Sequence, residues 1–125
     1  MARNEVYYTL EILPKNVILI KFRDNFIITK YHIVSILKIV KDKFFEYPLI
    51  FNITNVDGFD YDAIDLCAVY EFKQYPHRIA IVYNPDNISK KYAILIKNFN
   101  NECRMINKFD RMEDALEWSI ESRDV

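Results

Sequence analysis

The sequence is poor in the residues from which ligand-binding loops and metal sites are commonly built. Gly58 is the only glycine among 125 residues, which excludes a glycine-rich loop whose backbone cradles a phosphate. The two histidines, His32 and His77, lack the spacing of a metal-binding motif. The two cysteines, Cys67 and Cys103, are far apart in the chain, and we interpret them as free, at least half-buried thiols of a reducing compartment.

An excess of charge of one sign is also lacking, as is any long apolar run. The 17 basic and 18 acidic side chains leave a formal net charge of −1, so no global field recruits nucleic acid or an anionic membrane. The start, Met1-Ala2-Arg3-Asn4-Glu5, is not followed by a signal segment, and no stretch has the length that a membrane-spanning helix needs. We therefore expect a soluble, cytosolic protein without nucleic-acid partners or membrane insertion.

Apolar residues, in contrast, are abundant. They make up 51% of the chain, and 15% of all residues are aromatic, which is enough to offset the entropy lost on folding. The length is typical of one domain with one core, and no linker, repeat or low-complexity stretch interrupts it. We predict a single domain over residues 1–125.

The first half of the chain predicts a hairpin, a helix and a buried strand. Two β-rich runs at residues 6–12 and 17–22 flank Pro14-Lys15-Asn16. Thr29 is a plausible N-cap for a helix that continues to about residue 47 and ends before Pro48. The apolar residues at helical spacing in it are Ile33, Ile36, Leu37, Val40 and Phe44.

The second half predicts alternating strands and helices. The runs 49–53 and 79–83 are almost continuously apolar, as expected for central strands covered on both faces. A turn at 55–58 leads into a helix over 61–73, Ser89 caps the next helix, a short strand lies near 104–107, and a capping box from Asp110 to Glu113 opens the last helix. The order is β-β-α-β-α-β-α-β-α. It predicts an α/β fold with an antiparallel N-terminal hairpin, otherwise mainly parallel strands, and four flanking helices.

An acidic cluster falls where a buried strand ends and the second helix begins. It consists of Asp57, Asp60, Asp62 and Asp65. Open α/β sheets bind ligands at this edge, so a divalent cation is one reading. Capping and the helix dipole favour acids at a helix start for structural reasons, and we prefer that interpretation.

No catalytic arrangement emerges from the nucleophilic side chains. Cys67 lies among apolar residues of a predicted helix, without the basic neighbours that form a thiolate. Ser35, Ser89, Ser119 and Ser122 are predicted at helix-surface or capping positions, which does not support a Ser-His-Asp triad. We predict a non-enzymatic protein without a cofactor.

The predicted helix 61–73 carries more apolar surface than one packed face requires. Its main stripe consists of Ala63, Leu66, Cys67 and Tyr70, and the surface is widened by Ile64, Ala68, Val69 and Phe72. One reading is an exposed face that contacts a partner chain, a twin subunit or an apolar ligand. The other is deep burial between the sheet and a neighbouring helix.

Three stretches follow the patterns of a known family in the right order along the chain. Residues 48–56, Pro-Leu-Ile-Phe-Asn-Ile-Thr-Asn-Val, are similar to "P-x-hydrophobic-hydrophobic-D-I-x-x-V"; residues 78–82 form the next buried strand; and Phe109, Ala115 and Trp118 match "F-x-x-x-x-x-A-x-x-W". With these stretches the chain resembles the STAS-like fold of sporulation anti-anti-sigma factors. It is more similar still to small single-domain bacterial proteins of the SpoIIAA-like superfamily, often labelled STAS/SEC14-like.

The resemblance implies a regulatory module that binds a partner through the loop and helix 57–72. The residues that we expect to contribute are Asp57, Gly58, Asp60, Tyr61, Asp62, Leu66, Val69 and Tyr70. The partner is expected to be another protein or a second copy of the chain. Phosphorylatable relatives carry an Asp-Ser-Ser-Gly-like motif in this loop, whereas residues 59–63 here contain no serine or threonine, and Asn52 replaces the usual Asp. Two alternatives are a domain that binds a small apolar ligand or lipid, and an enzyme that uses the acidic loop with a metal.

Overall fold

The computed structural model describes residues 7–44, 47–64, 75–99 and 105–121. Strands β1 (Tyr8–Leu13), β2 (Val17–Phe22), β4 (Leu49–Asn52), β6 (Ile79–Val82) and β7 (Ile106–Phe109) form one sheet in the order β1-β2-β4-β6-β7. Two short strands, β3 (Ile27–Ile28) and β5 (Gly58–Phe59), pair in parallel as a separate ribbon. The helices are α1 (Lys30–Phe44), α2 (Ser89–Phe99) and α3 (Met112–Glu121), and residues 61–64 are also helical.

The predicted architecture is confirmed. β1 and β2 are antiparallel, and β2, β4, β6 and β7 are mutually parallel. The hairpin closes with Leu13 opposite Val17, and the turn between them places Lys15 and Asn16 at positive φ, 67° and 60°. Four helical segments accompany the sheet in the described part of the chain.

The two faces of the sheet pack against different helices. On one face, side chains such as Ile20, Phe51 and Ile81 join α1, α2 and the start of the 61–64 helix in the larger cluster. On the other face, Val17, Ile50, Ala80 and Val82 pack with Ala115 of α3. Because both faces are covered, β6 is apolar throughout and β4 is apolar except for Asn52 at its end, and all four residues of β6 are buried.

Several local predictions require correction. Asn87, not Ser89, caps α2, since the Asn87 Oδ1 accepts hydrogen bonds from the Ser89 backbone N–H (2.9 Å) and hydroxyl (2.7 Å). The last strand covers Ile106–Phe109 and so extends two residues past the predicted 104–107, of which Arg104 lies outside the described residues. Ser119 was expected on a helix surface, but it is fully buried, because it lies one turn after the buried Ala115 on the face of α3 that packs on the sheet. Glu113, the last residue of the predicted capping box, forms an ion pair with Arg111, the residue before α3, with 3.1 Å between the charged groups.

Candidate interaction site

The predicted site begins at the carboxyl end of β4, where the chain turns back towards β3. Val56 donates its backbone N–H to the Ile53 carbonyl (3.2 Å) and closes the turn. The side chain of Asn52, at the strand end, accepts hydrogen bonds from the Thr54 backbone N–H (3.0 Å) and hydroxyl (2.8 Å). This local Asx pattern bends the chain immediately after the buried strand.

The loop that follows is held by main-chain bonds to the segment before α1. Asp57 donates its N–H to the Phe26 carbonyl (2.8 Å), and Asp60 donates to the Ile28 carbonyl (2.9 Å). These bonds flank the β3–β5 pairing, in which Ile27 lies opposite Gly58. The sequence predicts only a turn at 55–58, whereas the structure also forms the strands β3 and β5. Two-residue strands leave no periodic pattern by which they could be predicted.

A second set of bonds holds the loop from the side of α2. The Asn87 side-chain amide donates to the Thr54 carbonyl (2.7 Å). Ser89 is fully buried beneath it and accepts a hydrogen bond from the Asn84 N–H (2.8 Å). Sequence reasoning missed this role of Asn87, although an Asn two residues before a helical Ser is a recognisable capping signal. The loop is thus braced from two neighbouring segments.

Asp60 and Tyr61 have different roles at the start of the 61–64 helix. The Asp60 Oδ1 accepts a hydrogen bond from the Ala63 N–H (2.8 Å), which is the geometry of an N-cap. The next residue, Tyr61, projects outward with 79% of its surface exposed. Asp57 and Asp62 are exposed on either side of it. A large exposed aromatic side chain therefore lies in a short segment with exposed acidic residues before and after it, on a backbone anchored by hydrogen bonds.

Gly58 is not exposed for partner contact; its lack of a side chain allows Tyr92 to approach the backbone closely. It is buried in β5, and its φ is not positive. A Cβ at this position would lie 3.0 Å from the Tyr92 hydroxyl. Tyr92 in turn contacts the Phe59 ring, with 5.4 Å between the centroids. Gly58 thus lets α2 pack against the short ribbon under the loop.

Two residues of the apolar surface predicted for the helix 61–73 lie in the described part of the chain. Ala63 and Ile64 are both buried in the larger core cluster. At Ile64, counted among the excess residues, the apolar side chain thus serves the core. The remaining predicted residues lie outside the described part of the chain: Asp65, Leu66, Cys67, Ala68, Val69, Tyr70 and Phe72, together with Cys103 and Ser122.

His32 lies beside the loop, on the first turn of α1. Burial lowers the pKa of this imidazole from its ordinary value of 6.5, while the negative charge of Asp60 acts in the opposite direction. Its ring lies 4.4 Å from that of Tyr7 and 4.7 Å from that of Phe26, measured between centroids. His77, the other histidine, contacts the Tyr75 ring edge-on at 6.1 Å.

Among the described residues no three His, Cys, Asp or Glu side chains are close enough to hold a metal ion. Of the serines considered as nucleophiles, Ser35 is exposed on α1, whereas Ser89 and Ser119 are buried. In the same part of the chain, no helix has the length and apolar character to cross a bilayer.

The comparisons rest on structure, because no protein-family model and no curated protein matches the sequence. A DUF3478-family protein with a SpoIIAA-like fold from Shewanella loihica aligns with a TM-score of 0.59 at 15% identity, over 95% of this chain and 99% of its own. The unphosphorylated anti-sigma factor antagonist SpoIIAA aligns with a TM-score of 0.58 at 15% identity, over 94% and 99% of the two chains. A candidate anti-sigma factor antagonist from Thermotoga maritima gives 0.58 at 14% identity, over 90% and 93%. Strand order, helix placement and these alignments together assign the chain the SpoIIAA-like fold of the STAS-like proteins.

Proposed function

We propose that this protein is a non-enzymatic regulatory module that binds another protein, or a second copy of itself, through the loop and helix 57–72. Tyr61 carries the proposal. Exposed aromatic side chains on a rigid backbone are typical anchors of protein interfaces, because they bury a large area at little cost in conformational entropy. The fold shared with anti-sigma factor antagonists is consistent with this role.

The charge around Tyr61 indicates which partner surface fits. Asp57 and Asp62 are exposed on either side of it, and Asp60 is exposed although one of its oxygens caps the helix. A complementary surface would offer an apolar slot for the phenol ring and Lys or Arg side chains around it. Charges at the rim of an interface mainly raise the association rate and set its salt dependence.

The alternative of an apolar ligand in the core has less support. The cavity that lies among Phe22, Phe51, Phe59 and neighbouring isoleucines has a volume of about 10 Å³. That is room for about one water molecule, whereas small-molecule pockets measure several hundred Å³. The described core therefore favours packing over ligand binding.

The experiment compares two tyrosines of equal exposure. Tyr61 and Tyr31 are 79% and 76% exposed, so replacing either with Ala should leave the unfolding midpoint nearly unchanged. Proteins retained by the wild type from an extract of the native host are identified and purified. Their affinity for each variant is measured by calorimetry, and light scattering reports self-association.

We expect Tyr61→Ala to weaken binding roughly 30-fold, the effect of losing a 2 kcal/mol hot spot. Tyr31→Ala should change it less than threefold. Asp62→Asn should slow association and reduce its salt dependence. A monomeric chain whose partners bind the wild type and Tyr61→Ala equally well would refute the proposed surface.

A further inference from the structure

The start of α1 is capped by a histidine where a glutamate or glutamine normally stands. Thr29 directly precedes the helix, and the N–H groups of His32 (3.1 Å) and Ile33 (3.3 Å) donate to its carbonyl. The His32 Nδ1 lies 2.9 Å from the Thr29 backbone nitrogen and 3.1 Å from its hydroxyl. In a capping box, the third helical residue accepts the N–H of the N-cap residue with a carboxylate or amide oxygen. Here an imidazole nitrogen accepts it.

This bond defines the protonation state of the ring. A backbone N–H can only donate, so Nδ1 must be unprotonated and the neutral ring carries its proton on Nε2. A Glu or Gln side chain would remain an acceptor at any pH near neutrality, whereas imidazole loses this acceptor when it binds a second proton. The positive charge would also lie at the N-terminus of α1, where the helix dipole disfavours it.

Two aromatic rings hold the imidazole in place. Tyr7, just before β1, and Phe26, just before β3, contact it, and their own rings stack at 5.4 Å. The imidazole ring thus packs against the segments that contain Tyr7 and Phe26 and is also hydrogen-bonded to Thr29. The imidazole contacts both the residue that precedes the N-terminal hairpin and the segment that braces the 57–60 loop.

The charged and titratable groups around His32 come from several elements. Asp60 faces it from the loop and favours the protonated ring. The Arg23 guanidinium lies over the Phe26 ring, 5.2 Å from its centroid, and Lys30 begins the same helix as His32. The phenol ring of Tyr7 also faces the imidazole, with 4.4 Å between the ring centroids.

We propose that His32 is a pH-sensitive N-terminal cap of α1, which releases the first turn of the helix when Nδ1 is protonated. The released imidazolium becomes a donor and is attracted to Asp60. There it competes with the Ala63 N–H, whose hydrogen bond to Asp60 caps the neighbouring helix. Acidification therefore loosens the Thr29 end of α1 together with the loop that carries Tyr61. This property belongs to the fold and does not depend on the proposed binding function.

The direction of the pH effect follows from the neutral ring being favoured in the folded state. The unfolded chain then binds the proton more readily than the folded chain. The contribution of His32 to the free energy of unfolding is fully present above pH 6.5, the ordinary pKa of histidine. This contribution is lost as the pH falls from 6.5 through the lower pKa of His32 in the folded protein.

The test replaces each histidine with glutamine, which offers an acceptor that does not titrate. Urea unfolding of the wild type, His32→Gln and His77→Gln is measured from pH 7.5 to 5. The wild-type unfolding constant should rise several-fold more than that of His32→Gln, within the 2- to 30-fold range of a lost cap. His77→Gln should behave as the wild type.

A second measurement needs no variant with altered folding. Since the chain has only two histidines, their imidazole nitrogens can be followed by NMR and assigned with His77→Gln. We expect His32 to show an unprotonated Nδ1 at pH 7.5 and to titrate below 6.5. A protonated Nδ1 at pH 7.5, or identical pH dependence of stability in the wild type and His32→Gln, would overturn the proposal.

Discussion

Ser89 and Ser119 allow the same substitution to be compared at two equally buried positions with opposite hydrogen bonding. Both are fully buried within helices. The Ser89 hydroxyl donates to Asn87 (2.7 Å) and accepts the Asn84 N–H (2.8 Å). The Ser119 hydroxyl has no hydrogen-bond partner. Replacing each with Ala removes one oxygen atom and leaves the backbone unchanged.

The expected effects differ in sign. Ser89→Ala leaves the Asn84 N–H without its acceptor and frees Asn87 Oδ1 from one donor, which should cost about 2–3 kcal/mol. Ser119→Ala removes a hydroxyl that was desolvated without compensation and replaces it with a better helix former. It should be neutral or stabilise by about 0.5–1 kcal/mol. The two variants should therefore differ by about 3 kcal/mol.

Chemical denaturation followed by circular dichroism measures both changes. The slope of the unfolding free energy against urea should remain that of the wild type, because neither variant changes the surface exposed on unfolding. In addition, Ser89→Ala should speed amide exchange at Thr54 and Val56, whose loop Asn87 holds. Equal destabilisation by the two variants, or a loss of more than about 1 kcal/mol in Ser119→Ala, would refute the reasoning.

Two further predictions concern the ends of the sheet. Arg78→Ala should cost about 1–2 kcal/mol in unfolding free energy, because the guanidinium donates to the Trp118 carbonyl (2.7 Å) and lies over its ring at 4.6 Å; Arg111→Ala, at an exposed ion pair, is the control and should have no measurable effect. Burial raises the pKa of the Tyr75 phenol, which donates to the Tyr47 carbonyl at 2.5 Å. Its contribution to stability is therefore present below pH 10 and lost as the pH rises above it, so the Tyr75 phenolate should be missing from an alkaline absorbance titration of the folded wild type at pH values where the unfolded chain shows it. Tyr75→Phe should abolish that deficit, and an unchanged titration would contradict it.

Local sequence signals were sufficient for much of the fold. The apolar runs ending at residues 53 and 83 predicted central strands because side chains covered on both faces leave no polar alternation. Thr29 and the helical spacing from Ile33 onwards predicted α1, whose described helix begins at Lys30. Pro14 to Asn16 marked the hairpin turn, since residues there must bend the chain within three positions. Each of these signals is contained in neighbouring residues.

The features of the candidate site depended on contacts between distant segments. The acidic residues and Tyr61 were visible in the sequence, but the braces on their loop come from Phe26, Ile28 and Asn87. The β3–β5 ribbon has only two residues in each strand. It forms because the folded chain brings residues 27 and 58 together. A pairing of this kind has no periodicity to detect.

What the sequence determined by itself is the order of the elements and the apolar pattern that buries them, because both follow from short-range periodicity and capping. Tertiary structure decided which polar side chains serve the core and which face solvent. Ser119 was predicted on a helix surface but is fully buried, and the rings that pack against His32 come from Tyr7 and Phe26, which lie in other segments of the chain. The bond from Asn87 to the Thr54 carbonyl joins residues 33 positions apart. Contacts of this kind depend on which distant segments meet in the folded chain, and no pattern among neighbouring residues encodes them.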